Sequence, residues 1–340
     1  MAARTDAAQD AHRARLAERA PSGGWRVIAS KEIGDHVSSV RFYVLLVIIG
    51  LAAVIPLYFA ADVIRNAAPQ ASGQPAVFLA LFVIGSDQLA GIPVYSFVAL
   101  LGPLLGIAFG FDAVNSERSQ GTLPRLLSQP IHRDDVINGK FTAGLTVIGL
   151  MLVALTVLVA AFGMLRLALV PEAEEVVRLV LWLAVTILYV GFWLAFGTLL
   201  SVVVRRAASA ALIGFGIWFA LIVLGSIIVP VVAGFLFPIP SDGTIADQLG
   251  ARSNQQLFLR LFPQQLYADA IRAILNPGVT TVVGPTNLAQ AFSASEQVPS
   301  LLPVDQSLLL VWPQIVGLVA LTVVTFALAY VLFLRQEVRA

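Results

Sequence analysis

The sequence predicts an all-α integral membrane protein with six transmembrane helices, and three observations carry that expectation. Hydrophobic residues make up 58% of the 340 and charged residues only 12%, with a mean hydropathy of +0.87, a balance foreign to water-soluble globular domains. Six apolar stretches reach the roughly 20 residues that a helix needs to cross a bilayer core. Their interiors hold no Asp, Glu, Lys, Arg or His, and Asp62, Asp112 and Arg178 fall at edges.

Residues 1–24, rich in Ala, Arg and Asp, read as a disordered cytoplasmic tail, without the short charged start of a cleavable signal. Over 25–41, Trp25, Ala29, Ile33, Val37 and Val40 share one helical stripe, with Lys31, Asp35 and Ser38 largely opposite. That is the pattern of an amphipathic helix lying in the membrane interface. A six-span domain follows over 42–337, with apolar runs at 42–61, 92–111, 141–162, 176–204, 207–237 and 308–334. The run 76–84 (AVFLALFVI) is too short to cross and belongs in the interface or under the outer surface. The fourth and fifth runs are long enough to require tilt or a break, and Pro230 offers a place for one. On the second run Gly102, Gly106 and Gly110 repeat GxxxG, which allows close backbone approach within one subunit or between two.

Charge sets the sidedness. With both termini cytoplasmic, the inner segments hold 15 of the 21 Lys and Arg while the 20 acidic residues divide evenly, as the positive-inside rule requires. The loop 112–140 is then cytoplasmic and the segment 238–307 extracytoplasmic. Within the outer segment Leu266, Ala270 and Ile274 make an apolar edge, joined by Tyr267 and Ile271, with Asp269 and Arg272 on the polar side. A helix on the outer membrane surface, or a lid, fits that pattern. Between residues 277 and 303, Gly, Thr, Ser and Gln dominate, suggesting a flexible or partner-binding loop.

The same composition argues against several functions. With no cysteine there are no disulfides or thiolate sites. Ion-coupled transport is disfavoured because a coupling ion needs a ligand or counter-charge inside the membrane. Intramembrane catalysis has no residues to carry it: there is no HExxH, and the three histidines, His12, His36 and His132, all fall on the cytoplasmic side. FGFD at 109–112 lacks the spacing and the second carboxylate of an aspartyl protease. INGKF at 137–141 is no phosphate loop, since Asp134 stands where the first glycine belongs and no Ser or Thr follows Lys140. The chain is expected to be non-catalytic and to hold no metal or cofactor.

The loop FDAVNSERSQGTLPRLLSQPIHRDDVINGKF, 111–141, contains the one feature that composition does not explain. Gly121 can break the preceding helix, Thr122 is a fair N-cap, and Pro124 is tolerated in a first turn. Leu123, Leu126 and Leu127 then share a face of a short helix that Pro130 ends. Asp134 and Asp135 suit the first turn of the third span, where the helix dipole favours negative charge. The result is a small leucine-faced knob over 121–130. Its leucines could rest on the bilayer surface, or enter a groove on a soluble partner.

Glu117, Gly121–Thr122, Leu126–Leu127, Pro130, Arg133 and Gly139–Lys140–Phe141, in that order over about 25 residues, resemble the signature of the ABC type-2 permeases. The likeness is to the branch that includes the copper-maturation permease of nitrous-oxide reductase. ASKEIGDHVSSVRF (29–42), the six spans and FPQQLYADAIRAILNP (262–277) agree with it more weakly. The resemblance implies a membrane subunit whose knob is a coupling helix seated in a separate ATP-binding subunit. Leu123, Leu126 and Leu127 would be its anchors, and Glu117 and Arg133 would brace the loop at the helix ends. Lys31 and Glu32 would make secondary contacts or merely belong to a membrane anchor.

The resemblance further implies two copies of the permease with two ATPase subunits, ATP and Mg held by those subunits, and a prokaryotic cell membrane. The expected activity is export of a hydrophobic or amphipathic substrate. The alternative is ATP-driven mechanical transmission to an extracytoplasmic protein without solute transport. Sidedness is checked directly on this cysteine-free chain. A membrane-impermeant maleimide is expected to label Ser241→Cys on intact cells, and Ser128→Cys only after permeabilisation.

Overall fold

The computed structural model describes residues 24–71, 78–85, 91–119, 132–276 and 302–335. All its regular elements there are helical. In chain order they are α1 (Gly24–Val37), α2 (Val40–Ala71), α3 (Ala80–Val83), α4 (Val94–Gly110), α5 (Asn115–Ser119), α6 (Arg133–Leu167) and α7 (Ala173–Val203). Then come α8 (Ala207–Trp218), a π turn (Phe219–Leu224), α9 (Gly225–Leu236), α10 (Ile245–Leu259), α11 (Pro263–Leu275) and α12 (Val304–Arg335). Six helical stretches are long and apolar enough to cross a membrane: Val40–Asn66, Val94–Ser119, Arg133–Leu167, Ala173–Val203, Ala207–Leu236 and Val304–Arg335. These spans one to six coincide with the six apolar runs of the sequence. We call the end that carries α1 and α5 proximal and the other end distal.

Span four is the axis of the bundle. Its Trp182, Tyr189 and Trp193 are fully buried, and α4, α6, α8, α11 and α12 all pack against it. Span two comes closest because its glycines allow it. A Cβ on Gly106 would lie 2.6 Å from both Val190 O and Leu194 N, and one on Gly110 would lie 2.7 Å from Leu194 O. Gly102 faces Val190, and Gly197 of span four meets Gly110 and Ile107 in return. The GxxxG face is thus occupied within the subunit.

Of the short run at 76–84, the described part from Phe78 onward is tucked inward. Phe78, Leu79, Leu81 and Phe82 are buried, Leu81 fills the notch at Gly163, and Phe82 meets Trp182 at 5.0 Å between ring centroids. Glu175 makes that possible: its Oε1 accepts from Phe78 N (2.7 Å) and Leu79 N (3.3 Å), and its Oε2 from Glu172 N (2.8 Å). Backbone amides that burial would strip of water are paired by one carboxylate.

Two expectations are corrected. The helix at 262–277, expected on the outer surface or as a lid, is α11, wedged among the distal halves of the spans. Leu266, Tyr267, Ala270, Ile271 and Ile274 are buried, the Tyr267 ring stacks on Tyr189 at 4.3 Å, and its hydroxyl lies 2.9 Å from Thr186 Oγ1. The polar side that suggested a surface is neutralised from within, because Asp269 accepts from Arg260 (3.1 Å) and Gln265 (2.7 Å). With that carboxylate paired, most of the helix can be buried, while Arg272 stays exposed and Gln264 and Gln265 part-buried. α10, started by a reciprocal Thr244–Asp247 capping box, packs on α9 of span five and leads through a short turn into α11.

Span five, the second correction, does not break at Pro230, which sits inside α9; its irregularity is the preceding π turn, Phe219–Leu224. Arg178, placed at an edge by sequence, is buried at the distal end, where it donates to Ile274 O (2.9 Å), Ser307 Oγ (3.2 Å), Glu174 Oε1 (2.9 Å) and Leu302 O.

The packing of spans two and four generates a stability test. Gly106→Ala presses a methyl against backbone that cannot move aside, and is expected to cost about 1–3 kcal/mol and lower the melting temperature in detergent. Gly50→Ala, with nothing within 4 Å of the new Cβ, is expected to be neutral or slightly stabilising.

Candidate functional site, a charged clamp at the base of the inter-span loop

The knob residues Gly121, Thr122, Leu123, Leu126, Leu127 and Pro130 lie outside the described residues, so the site is legible through what holds the two ends of their loop. On the outgoing side, span two ends at Gly110 and passes through Phe111 and Asp112 into α5. Arg41, at the start of span one, grips that exit. Its Nη2 donates to Asp112 Oδ2 (2.7 Å), and its Nη1 to Asp112 Oδ1 (3.1 Å) and Ala108 O (3.0 Å). Its guanidinium also stands 5.1 Å from the centre of the Phe111 ring. A bidentate fork fixes direction as well as distance. Immediately beyond, Ser201 Oγ of span four accepts from Val114 N (2.8 Å) and Asn115 N (3.1 Å), pairing amides that the start of α5 leaves free.

On the returning side Asp135, in the first turn of span three, binds two separate backbones. Its Oδ2 accepts from His132 N (3.2 Å) and its Oδ1 from Trp25 N at the start of α1 (3.1 Å). One turn deeper the motif Gly139–Lys140–Phe141 divides three tasks. A Cβ on Gly139 would lie 2.8 Å from Ile28 Cβ and from Trp25 O, so only glycine lets α1 lie this close. Phe141 packs its ring 4.2 Å from that of Phe326 in span six.

Lys140 is the centre of the arrangement. Its ammonium, 6% exposed, donates to Glu32 Oε1 of α1 (2.8 Å) and Glu117 Oε1 of α5 (3.2 Å). A cation this buried is tolerable only with close anionic partners, and here it has two from different segments. One side chain therefore ties α1, the outgoing end of the loop and span three together.

Of the residues chosen from sequence, Glu117 and Glu32 meet at Lys140, while Lys31 points outward and pairs with Asp35 (2.9 Å), which raises its pKa. Arg133 is the first residue of α6, at the returning end of the loop. Gly102, Gly106 and Gly110 lie along span four. The stripe expected on α1 faces inward over Trp25, Ala29, Ile33 and Val37, widened by Gly24 and Ile28 where Gly139 admits the helix onto span three, while Val40, which begins α2, is exposed. His36 sits edge-on to Phe109 at 5.2 Å, and burial pushes its pKa down against the pull of Glu32 and Asp112.

Sequence reasoning missed Lys140 as a hub, and it missed Arg41, Asp112 and Ser201. A signal existed for the first three. Arg41 and Asp112 are opposite charges abutting the same end of neighbouring apolar runs, and Lys140 directly precedes the apolar run of span three. Ser201 carried none, being one serine in a greasy helix.

Comparison with known proteins follows this geometry. A model of a family described as ABC-2 family transporter protein matches residues 26–338. Two similar relatives are the probable ABC transporter permease proteins NosY of Stutzerimonas stutzeri, 33% identical over 135 residues, and of Pseudomonas aeruginosa, 32% identical over 135. Each alignment takes in 38% of this chain and 47% of the relative, so the chain matches about half the length of these curated relatives.

The clamp is tested by unequal lysines. Lys140→Met leaves two part-buried carboxylates without their cation, and is expected to cost up to about 3 kcal/mol and speed hydrogen exchange over 24–37. Lys31→Met removes an exposed pair worth ~0 to 1 kcal/mol and is expected to leave that exchange unchanged.

Proposed function

The chain belongs to the ABC-2 family of transporter proteins, as a multi-pass membrane permease, and from that premise we propose that it couples ATP hydrolysis in a separate ATP-binding subunit to export of a hydrophobic or amphipathic substrate. Two copies of the chain pair with two such subunits, which carry the ATP and Mg. The assembly sits in a prokaryotic cell membrane with the proximal end and both termini cytoplasmic. The helix over 121–130 is the docking knob, with Leu123, Leu126 and Leu127 as anchors in a groove of the ATPase.

The observation that supports this reading is the clamp. A loop that only connects two spans needs no anchoring, yet here both ends are gripped by polar and charged groups of other segments. Asp112 is held by Arg41, Val114 and Asn115 by Ser201, and Glu117 by Lys140, which also binds Glu32. Displacement of the knob then moves spans two, three and four and α1 together, so closure of the ATPase pair becomes tilt of helices. Glu117 and Glu32 act in this scheme as struts, and Arg133 as the charged end of the returning helix.

Arg178 supports a second reading, mechanical transmission to an extracytoplasmic protein. It binds Ile274 O and Leu302 O, so one guanidinium holds the residues on either side of 277–301 to span four. Motion of span four would reach the base of that segment directly.

The deciding experiment purifies the tagged chain gently from its native membranes beside a Leu126→Asp, Leu127→Asp variant. An ATP-binding subunit is expected to accompany the normal chain and to fall by about tenfold or more with the folded variant. Retention of that subunit by the variant overturns the docking role of the knob. ATP-dependent flux in proteoliposomes favours export, whereas capture of an extracytoplasmic protein without flux favours transmission.

A further inference from the structure

Span five is built in two parts. Its proximal half, α8, is seated on span two: Trp218 Nε1 donates to Leu100 O (3.0 Å), and Gly214 admits Ile107 so closely that a Cβ would lie 2.9 Å from it. Its distal half, α9, buries only Gly225 and Ala233 and packs within the chain against α10. Between them lies the π turn Phe219–Leu224. π turns are rare, cost good hydrogen-bond geometry, and recur at functional positions.

The turn leaves a specific debt of hydrogen bonding. Gly225 N–H donates to Ala220 O, five residues back, and so abandons Leu221 O, its partner in an α register. That carbonyl is taken by another element: Gln264 Nε2, at the start of α11, donates to Leu221 O at 2.7 Å across 43 residues of chain. Ser226 Oγ likewise donates to Val223 O at 2.7 Å.

We infer that Gln264 is a latch that holds span five in its π register, and that release of Leu221 O to Gly225 N converts the turn to α and advances α9 by one residue. One residue of α-helix is a rotation of about 100° and a rise of about 1.5 Å. Such a step slides α9 along α10 and exchanges the bond from Gln255 Nε2 to Phe237 O, while Trp218 keeps α8 in place. α11 thereby sets the phase of span five. The use of the step in a transport cycle rests on the function proposed above; the latch itself does not.

Disulfide trapping reads the register, because the chain contains no cysteine of its own. Phe237 and Phe258 face each other with ring centroids 6.3 Å apart. Phe258→Cys is combined in turn with Leu236→Cys, Phe237→Cys and Pro238→Cys in the full chain in lipid nanodiscs. The strongest crosslink is expected at 237 in the otherwise native chain and at 236 once Gln264→Leu is added. Gln264→Glu, similar in size and without the donor when ionised, is expected to act the same way if the leucine variant folds poorly. A maximum that stays at 237 in both Gln264 variants overturns the latch. In the complex with its ATP-binding subunit, trapping ATP is expected to move the maximum from 237 to 236. An unmoved maximum in a complex that hydrolyses ATP overturns its use in the cycle. Failure to recover any ATP-binding subunit refutes the proposed function instead, with the latch still decided on the chain alone.

Discussion

The contact of span two on span four is the constraint on which the other arrangements rest. Hydrocarbon offers no hydrophobic reward for joining two greasy helices, so association depends on how closely their backbones can approach. At Gly106 and Gly110 there is no side chain to hold Val190, Leu194 and Gly197 away. The approach brings the end of span two beside Ser201, which can then bind Val114 N and Asn115 N and start α5 in a fixed direction. The same seating presents Leu100 O to Trp218 of span five and Ala99 O to the Tyr189 hydroxyl. A local choice of glycine thus positions the proximal loop, the central aromatic stack and the fifth span.

Charges that enter the bundle obey one rule at both ends. Lys140 and Arg178 are both buried, and each has several acceptors from segments distant in sequence. An unpaired buried cation would be costly, whereas one with several partners becomes a rivet, because losing any partner exposes the remainder to that cost. At the proximal end the rivet joins α1, α5 and span three; at the distal end it joins span four, α11 and the beginning of span six. Span five has no such fastening. It is held by hydrogen bonds at Trp218 and Gln264, by the close approach of Gly214 to Ile107 and by the packing of α10 on α9.

Much of the site was legible as residue types but not as contacts. The ordered elements from Glu117 to Phe141 resembled a family motif, yet the physical work of its last three residues emerges only from geometry: close approach at Gly139, a double ion pair at Lys140 and ring packing at Phe141. Lys140 and Glu117 are 23 positions apart and Lys140 and Glu32 are 108, and no periodicity links positions so separated. Arg41 and Asp112 lay at matching ends of neighbouring apolar runs, so a pair was inferable in principle once the topology was known.

By itself the sequence determined the number of spans, their limits and the excess of basic charge at one end, because each depends on local composition against the fixed thickness of a bilayer. It also determined that close helix contact was available on span two. Tertiary structure alone decided that α11 is a wedge and not a surface helix, and that span five turns irregular at Phe219–Leu224 and not at Pro230. The reason is the same in each case. Apolar side chains facing lipid and apolar side chains facing other helices are made of the same residues, and a polar residue reads as exposed until its partner, contributed by another part of the chain, is in place.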